Sequence, residues 1–322
     1  MKIYSKQQLL DRLRQFRIVQ GPLAGVSNHI FRSLIWRYSQ PAWVYGEMTS
    51  CKTILSGSSQ IKSRFLSVDP GEGPLCFQIA SSDVNETALA CDTINQLPVS
   101  IIDINAGCPV KKIRQRKQGS SLLAAPDLLS NLIKTMKNST DRCVSVKIRV
   151  DGTSDDRYND RVIKALQDAS PDFVVIHGRN YRDGYDIPCN LPQIKHFVKE
   201  LGLPVIGNGD ANTPDSVRHF LNIGCEGVMI SRASVGAPWL IQNIQKGLGI
   251  TDNDFKPHTE LCWEIFLEHI NRLAMIQDER FALNNAYGLI KYYTKGWPQK
   301  EDLLQKVRQA KTLEQLESSG NF

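Results

Sequence analysis

Residues 173–231 contain three short apolar runs, FVVIH (173–177), PVIGN (204–208) and GVMIS (227–231), each followed by a polar or glycine-containing cluster. The sequence between them has helical spacing, as in residues 213–222. Runs that remain apolar along their length are typical of parallel strands that helices cover on both faces. This stretch therefore predicts repeated units of a strand followed by a helix.

Five further runs of the same kind precede this stretch. Together the predicted strands are 18–22, 42–48, 75–79, 100–105, 144–149, 173–177, 204–208 and 227–231. The clearest predicted helices are 83–96, 126–137, 155–168 and 213–222, and Asp83 with Glu86 three residues later has the spacing of a capping box. Eight such units predict a (β/α)₈ TIM barrel, an α/β fold, with a doubly wound open sheet as the alternative.

The pattern changes after about residue 251. Apolar residues then recur at helical spacing from 258 to 316, which predicts a small C-terminal helical bundle. We therefore divide the chain into a barrel domain, 1–250, and a helical domain, 251–322, which the charges and rings described next make a candidate RNA-binding domain. Residues 280–311 carry seven basic and two acidic side chains, and KYYTKGWPQK (291–300) interleaves lysines with aromatic rings. That combination suits RNA, although a core-facing aromatic stripe with solvated lysines explains it equally well.

Composition excludes several classes of protein. The chain has 322 residues, of which 41% are hydrophobic and 22% charged, as in average globular proteins. We expect no membrane span and no secretory signal, and therefore a cytoplasmic protein. The eight cysteines include no CxxC pair, and no cluster has metal-ligand spacing, so neither a disulfide framework nor a metal site is predicted.

The net charge of +6 is mild, but its distribution is uneven. The run KKIRQRK (111–117) includes Lys111 and Lys112 and contains five positive charges without an acid. Clusters of this kind neutralise phosphates of nucleic acids. The run is therefore a candidate contact with an RNA backbone.

Polar side chains stand where the predicted strands end. In a barrel these ends meet at one mouth, which is where the active site lies. The residues concerned are Pro22, Glu47, Gln78, Asn105, Lys147, Arg149, His177, Asn208 and Arg232. Exposure to solvent is enough to explain one polar residue at a strand end. It does not explain a whole ring of polar strand ends, so we predict a binding site at this mouth.

The last two strand ends have features of a phosphate site. Gly207-Asn208-Gly209-Asp210 and Ser231-Arg232-Ala233-Ser234 combine glycines, whose N–H groups can approach an anion closely, with an arginine. FMN suits the whole set. Gln78 and Asn105 can hydrogen-bond a flat ring, and Lys147 can stabilise the negative charge of the reduced flavin.

Cys108 lies on the loop Asn105-Ala106-Gly107-Cys108-Pro109, directly after the fourth predicted strand. The other seven cysteines are best explained as passive thiols, most of them buried. A thiol over the mouth can instead donate a proton, or act as a nucleophile if nearby cations favour the thiolate. We therefore single out Cys108 as the candidate catalytic residue.

These motifs together resemble the tRNA-dihydrouridine synthases. The resemblance is carried, in chain order from about residue 18 to 240, by GPLAGV (21–26), DINAGCP (103–109) with Lys112 and GSSLL (119–123), VKIR (146–149), HGR (177–179), NGD (208–210) and ISRA (230–233). The cysteine motif followed by a basic loop is its specific part. The C-terminal portion has the size of the family's tRNA-binding domain.

The resemblance implies roles for individual residues. It implies FMN contacts from Pro22, Leu23, Ala24, Gln78, Lys147, His177, Asn208, Gly209, Asp210, Ser231 and Arg232, with Cys108 as the catalytic thiol. Asn105, Arg149 and Tyr185 would address the uracil, and Lys111 and Lys112 the RNA. Gly21 stands where the family usually has Ala, Ser120 where Ala is frequent, and Ser231 where Gly is common.

The activity implied is the NADPH-driven reduction of the C5=C6 bond of uridines in tRNA. Hydride would pass from reduced FMN to C6 and a proton from Cys108 to C5. NADPH, or NADH, would bind transiently at the same mouth, because the sequence has no G-x-G-x-x-G element. We expect a monomer. The alternatives are an FMN barrel acting on a free pyrimidine, similar to dihydroorotate dehydrogenases, and a non-catalytic RNA-binding barrel.

Overall fold

The computed structural model describes residues 2–153 and 157–320, and its centre is a closed sheet of parallel strands. The strands are β1 Ile18–Gln20, β2 Val44–Tyr45, β3 Thr49–Ser50, β4 Leu75–Ala80, β5 Ile101–Ala106, β6 Cys143–Arg149, β7 Phe173–His177, β8 Val205–Asn208 and β9 Gly227–Ile230. β1 pairs with β9 on one side and β2 on the other, which closes the ring. The TIM barrel is confirmed, and the open sheet is wrong.

The second barrel strand differs from the prediction of 42–48. It consists of two short segments, β2 and β3, which both pair with β4. Between them the chain leaves the ladder at Glu47, whose buried carboxylate accepts a hydrogen bond of 2.5 Å from the Gly25 N–H. This contact links the interrupted strand to the loop after β1.

Helices follow the strands as predicted. Those that precede or surround the barrel are α1 Lys6–Phe16, α2 His29–Ser39, α3 Cys51–Ser56, α4 Ser59–Leu66, α5 Val84–Asn95, α6 Lys111–Arg114, α7 Pro126–Ser139, α8 Arg157–Ala169, α9 Leu191–Leu201, α10 Pro214–Asn222 and α11 Leu240–Gly247. Asp83 caps α5, and Thr213 caps α10. Residues 155 and 156 of the predicted helix 155–168 lie outside the described residues.

Side chains of each strand alternate between two cores. Inside the barrel, one cluster joins strand residues such as Val19 and Phe173 to Leu9 and Leu13 of α1. The N–H of Tyr4, just before α1, donates to Ser100 Oγ at 3.1 Å. α1 therefore covers the end of the barrel where the strands begin. The opposite end, where the strands finish, remains available for a site.

The chain ends in four helices, α12 Thr259–Ile276, α13 Glu279–Tyr293, α14 Lys300–Gln309 and α15 Leu313–Ser318. Their apolar side chains join the outer barrel core in one hydrophobic cluster. An ion pair of 2.7 Å between Arg37 and Glu268 links α2 to α12. The predicted C-terminal helices are confirmed, whereas the division at residue 250 stays a prediction.

Among the described residues, no helix is both long and apolar enough to cross a membrane.

A buried ion pair ties α2 to the segment before β4. Arg32 Nε and Nη2 contact the two Glu72 carboxylate oxygens at 2.5 and 3.0 Å, and both side chains are at most 1% exposed. Arg32 also donates to the carbonyl groups of Ser27 and Ser67. Burial raises the pKa of Glu72, although Arg32 acts in the opposite direction. The guanidinium therefore depends on Glu72 for its neutralisation.

Replacing Glu72 with Ala leaves the Arg32 charge buried without its counter-ion. We expect the Glu72→Ala variant to lose about 3–5 kcal/mol of unfolding free energy, measured by urea denaturation. Glu314→Ala removes an exposed carboxylate of α15 and serves as the control, with an expected change within about 0.5 kcal/mol. Equal stability of the two variants would show that the buried pair is not needed.

Candidate active site

A cavity of about 1190 Å³ opens where the barrel strands end and extends to the C-terminal helices. It brings together most of the predicted site residues. Those lining it are Pro22, Leu23, Ala24, Gln78, Asn105, Cys108, Lys147, Arg149, His177, Tyr185, Asn208, Gly209, Asp210, Ser231 and Arg232. Lys111 and Lys112 do not line it. They are exposed on α6, which begins three residues after Cys108.

Strand register explains this convergence. Asn105 of β5 lies beside Lys147 of β6, and His177 of β7 lies beside Asn208 of β8. Because side chains alternate along a strand, these residues share the interior face of the barrel. Asn208 accepts a hydrogen bond of 2.9 Å from Lys147 Nζ and donates one of 2.9 Å to the Met229 carbonyl. The amide thus orients the ammonium group at the mouth.

The mouth carries an excess of positive charge. Burial, together with the Arg149 guanidinium, lowers the pKa of Lys147 from its ordinary value of 10.5 to about 7. Burial also holds the pKa of His177 far below its ordinary value, and four cations act in the same direction. These cations are Lys147, Arg149, Arg179 and Arg232. An anionic occupant would relieve this repulsion.

Arg179 fixes the loops after β7 and β8. It is almost fully buried, and its Nη2 contacts the Asp210 carboxylate oxygens at 2.7 and 2.6 Å. It also donates to the carbonyl groups of Tyr185 and Ile187. The Asp210 carboxylate is therefore engaged by Arg179, and Asp210 itself has a left-handed backbone with φ of 53°. Its structural role is to shape the turn after β8.

The Tyr185 ring stacks on Arg232. The guanidinium carbon lies 3.3 Å from the centre of the ring, a cation–π contact between the loop after β7 and the turn after β9. Tyr185 is nevertheless 59% exposed. The contact occupies one face of the guanidinium and leaves its N–H edge for other partners.

The Cys108 loop is held by backbone contacts. Arg149 Nε donates to the Gly107 carbonyl at 2.8 Å, and the Ser120 N–H donates to the Cys108 carbonyl at 3.0 Å. Gly119 has φ of 61°, and a Cβ atom there would lie 2.7 Å from the Cys108 oxygen. Glycine is therefore required where the 118–121 segment crosses the loop. Cys108 itself is half-buried.

Two of the sequence departures lie next to each other. A Cβ atom on Gly21 would lie 2.4 Å from Ser231 Oγ and 2.6 Å from Met229 Sδ. These two side chains therefore occupy the space that an alanine at position 21 would need.

The C-terminal helices form one wall of the cavity. Tyr292, Lys295 and Trp297 line it, together with Phe255 from the segment before α12. A Cβ atom on Gly236 would lie 2.4 Å from the backbone of Tyr292, so the loop after β9 packs directly on the end of α13. The predicted segment 291–300 therefore reaches the barrel mouth with rings and a cation.

Sequence reasoning missed Asp103 and Ser145, which lie beneath the lining residues. Asp103 was part of a quoted motif, but a buried carboxylate gives no signal by itself. The register pairs Asp103 with Gln78 on one side and Ser145 on the other, and all three point inward. Only the alternation of β5, set by its pairing, shows that Asp103 and Asn105 share a face.

The lining residues fit FMN. Gly209 has φ of 127°, which favours glycine, and it lines the cavity, as Arg232 does. The cations described above suit a phosphate and an electron-rich ring, and Gln78 and Asn105 provide amide groups. Among residues 2–153 and 157–320, no cluster of three or more His, Cys, Asp or Glu side chains could hold a metal ion.

Comparison with known structures supports the barrel. The fold is similar to that of the old yellow enzyme homologue from Zymomonas mobilis, with a TM-score of 0.52 and 16% identity over 73% of this chain and 90% of that one. At this identity the likeness concerns the fold alone. Both chains contain the same closed parallel barrel.

Sequence comparisons identify the family. The chain is 31% identical to tRNA-dihydrouridine synthase B of Vibrio cholerae over 280 residues, 86% of this chain and 85% of that protein. It is 31% identical to the probable tRNA-dihydrouridine synthase 1 of Synechocystis over 88% of this chain and 79% of that protein. The family model described as dihydrouridine synthase matches residues 18–320. The chain therefore belongs to the dihydrouridine synthase family of enzymes, as the sequence motifs predicted.

Proposed function

We propose that this protein is an FMN-dependent, NADPH-driven reductase of the C5=C6 bond of uridines in tRNA. The observation that carries the proposal is the union, in one cavity, of a cation-rich barrel mouth, the Cys108 loop and an aromatic, basic wall. The names of the relatives support tRNA as the substrate. A cytoplasmic location and a monomeric state remain predictions.

The cofactor would be held by the strand ends from β6 to β9. Arg232, Gly209 and the turn at Asp210 suit the phosphate, and Lys147 suits the ring. When bound and reduced, FMN supplies a hydride to C6 of the uracil. Lys147 has a pKa of about 7, because burial and Arg149 disfavour its charge. A negative occupant favours the ammonium form, so Lys147 gains a proton as the site fills.

The substrate base would lie between the Cys108 loop and the ring site. Cys108 donates the proton to C5, which completes addition across the double bond. Asn105 and Arg149 face the same space and can bind the uracil carbonyl groups, since both carry N–H donors. A base must leave its stack to reach this mouth. Contacts from 111–117 and the C-terminal helices to the RNA backbone offset that cost.

Reconstitution with defined substrates tests the proposal. The purified protein should show a flavin absorbance spectrum, oxidise NADPH, and form dihydrouridine in unmodified tRNA but not in free uracil or orotate. Turnover of a free pyrimidine would support the dihydroorotate dehydrogenase-like alternative. A colourless protein that binds RNA without changing it would support the non-catalytic one.

Cys108→Ala should retain FMN and RNA affinity but slow uridine reduction by about a hundredfold or more, since the thiol acts in proton transfer and not in docking. Single-turnover dihydrouridine formation measures this rate. Cys189→Ser is the matched control, because Cys189 is the other half-buried thiol and the substitution keeps a group that can donate to the Asn208 carbonyl, 3.6 Å from its Sγ. A wild-type rate in Cys108→Ala, or loss of its flavin, contradicts the assignment.

Lys147→Met should retain less FMN and accept hydride from NADPH more slowly. The pH dependence of the stability of the flavin-free protein provides a second measurement. Between pH 7 and 10.5 the folded wild type holds Lys147 neutral while the unfolded chain binds the proton, so stability rises with pH in that window. The methionine variant should lose this rise, as followed by urea unfolding. Exposed Lys164→Met is the control, and parallel pH profiles for wild type and Lys147→Met refute the assignment.

Neutralising Lys291, Lys295 and Lys300 should weaken RNA binding and flatten its salt dependence, by roughly one unit of log–log slope for each lost phosphate contact. NADPH oxidation by the flavin needs no RNA and should not change in a variant that neutralises only Lys291 and Lys300, which do not line the cavity. The matched triple variant replaces Lys164, Lys195 and Lys199, which are exposed on α8 and α9. Superimposable binding curves for wild type and the first triple variant would exclude the C-terminal helices as the RNA platform.

A further inference from the structure

A chain of hydrogen bonds runs from the barrel interior to the Cys108 loop. Ser145 Oγ donates to Asp103 Oδ1 at 2.6 Å, and Gln78 Nε2 donates to Asp103 Oδ2 at 2.8 Å. Asn105 Nδ2 donates to Gln78 Oε1 at 2.8 Å. Asn105 Oδ1 in turn accepts the N–H of Cys108 at 2.8 Å. Each link joins neighbouring strands or the loop that follows them.

The groups at the two ends of this hydrogen-bond chain determine which atom of each amide donates and which accepts. An ionised carboxylate only accepts, so the Gln78 amide must present its NH₂ group to Asp103 and its oxygen to Asn105. A backbone N–H only donates, so Asn105 must present its oxygen to Cys108 and its NH₂ group to Gln78. Both requirements select the same orientation of both amides.

Asp103 lies beneath the residues that line the cavity and can act on the site only through them. It is 0% exposed and does not line the cavity, whereas Gln78 and Asn105 do. Burial raises its pKa to about 6, and the hydrogen bonds from Ser145 and Gln78, together with the charge of Lys147, oppose this rise. The carboxyl group is therefore ionised at mildly alkaline pH.

We propose that Asp103 is a positioning residue that sets the orientation of the Gln78 and Asn105 amides and thereby anchors the backbone of Cys108 at the mouth. The inference deepens the proposed function, on which the proton-donor role of Cys108 rests. The Gly107 N–H, 3.2 Å from Asn105 Oδ1, shares the same anchor.

The fixed orientation also determines what the site offers to an occupant. One hydrogen of each amide NH₂ group takes part in the hydrogen-bond chain. The other can bind an occupant of the cavity. Gln78 and Asn105 therefore present N–H donors, which suit carbonyl oxygens of a flat ring. Reversal of the amides would present acceptors instead and would set an NH₂ group against the Cys108 N–H.

Hydrogen exchange of the Gly107 and Cys108 amides tests the anchor without relying on activity. In Asp103→Leu the Gln78 amide loses its fixed acceptor, so the exchange rate of these two amides should rise about threefold to tenfold, as expected for one weakened hydrogen bond. Asp172→Leu is the matched control. It removes another buried carboxylate, which accepts the Val144 N–H at 2.7 Å beside the start of β7.

A swap variant covers the case in which Asp103→Leu does not fold. Asp103→Asn combined with Gln78→Glu moves the carboxylate one step along the chain, so Asn105 must still donate to it. Exchange of the Gly107 and Cys108 amides should then stay within about twofold of wild type. Unchanged exchange in folded Asp103→Leu, an equal rise in Asp172→Leu, or fast exchange in the swap variant overturns the proposal.

Activity separates this inference from the proposed function. If wild type reduces uridine, Asp103→Leu should slow that step about threefold to tenfold while RNA affinity is kept. If wild type does not reduce uridine, the proposed function fails, and the exchange data still decide whether Asp103 anchors the loop. Loss of RNA affinity together with activity in Asp103→Leu would indicate a general structural defect and contradict the positioning role.

Discussion

Closure of the parallel barrel is the constraint on which the rest of this structure depends. Because all strands run in the same direction, all of them end at the same rim, and α1 covers the opposite end. Alternation along each strand then sends every second side chain into the interior. Near α1 these interior residues are apolar, as at Val19 and Phe173, whereas at the other end they are Asn105, Lys147, His177 and Asn208. One geometric condition thus creates both the core and the site.

The chemistry of the mouth follows from placing several cations in a partly buried ring. Burial and mutual repulsion lower the pKa values of Lys147 and His177. The Asp103 carboxylate lies below the surface of the cavity and is engaged by Ser145 and Gln78. Asp210 at the rim is paired with Arg179. The space that remains therefore favours an anion, which agrees with a phosphorylated flavin and with RNA.

Much of this arrangement could be predicted from the sequence. Strand positions from β4 to β9 agree with the apolar runs to within one residue at either end, because short apolar runs with polar ends identify buried parallel strands well. The second strand was wrong in extent, and at its interruption Glu47 contacts the distant Gly25. Contacts of this kind have no local signal in the sequence.

The site, too, could be predicted from the sequence only in part. The predicted site residues are recognisable because they end strands or belong to family motifs, and all but Glu47, Lys111 and Lys112 line the cavity. Their partners are not recognisable. The pairing of Arg179 with Asp210, the stacking of Tyr185 on Arg232 and the placement of Asp103 depend on register between separate strands and loops. Their positions follow from the fold and not from any local pattern in the sequence.

The proposed reaction at this mouth is the reduction of uridine within tRNA. Mass-spectrometric mapping of dihydrouridine in total tRNA, from source cells that lack this protein, is the decisive measurement. We expect dihydrouridine to disappear from specific positions and to return when the wild-type chain is expressed. An unchanged dihydrouridine map in the cells without the protein would contradict it.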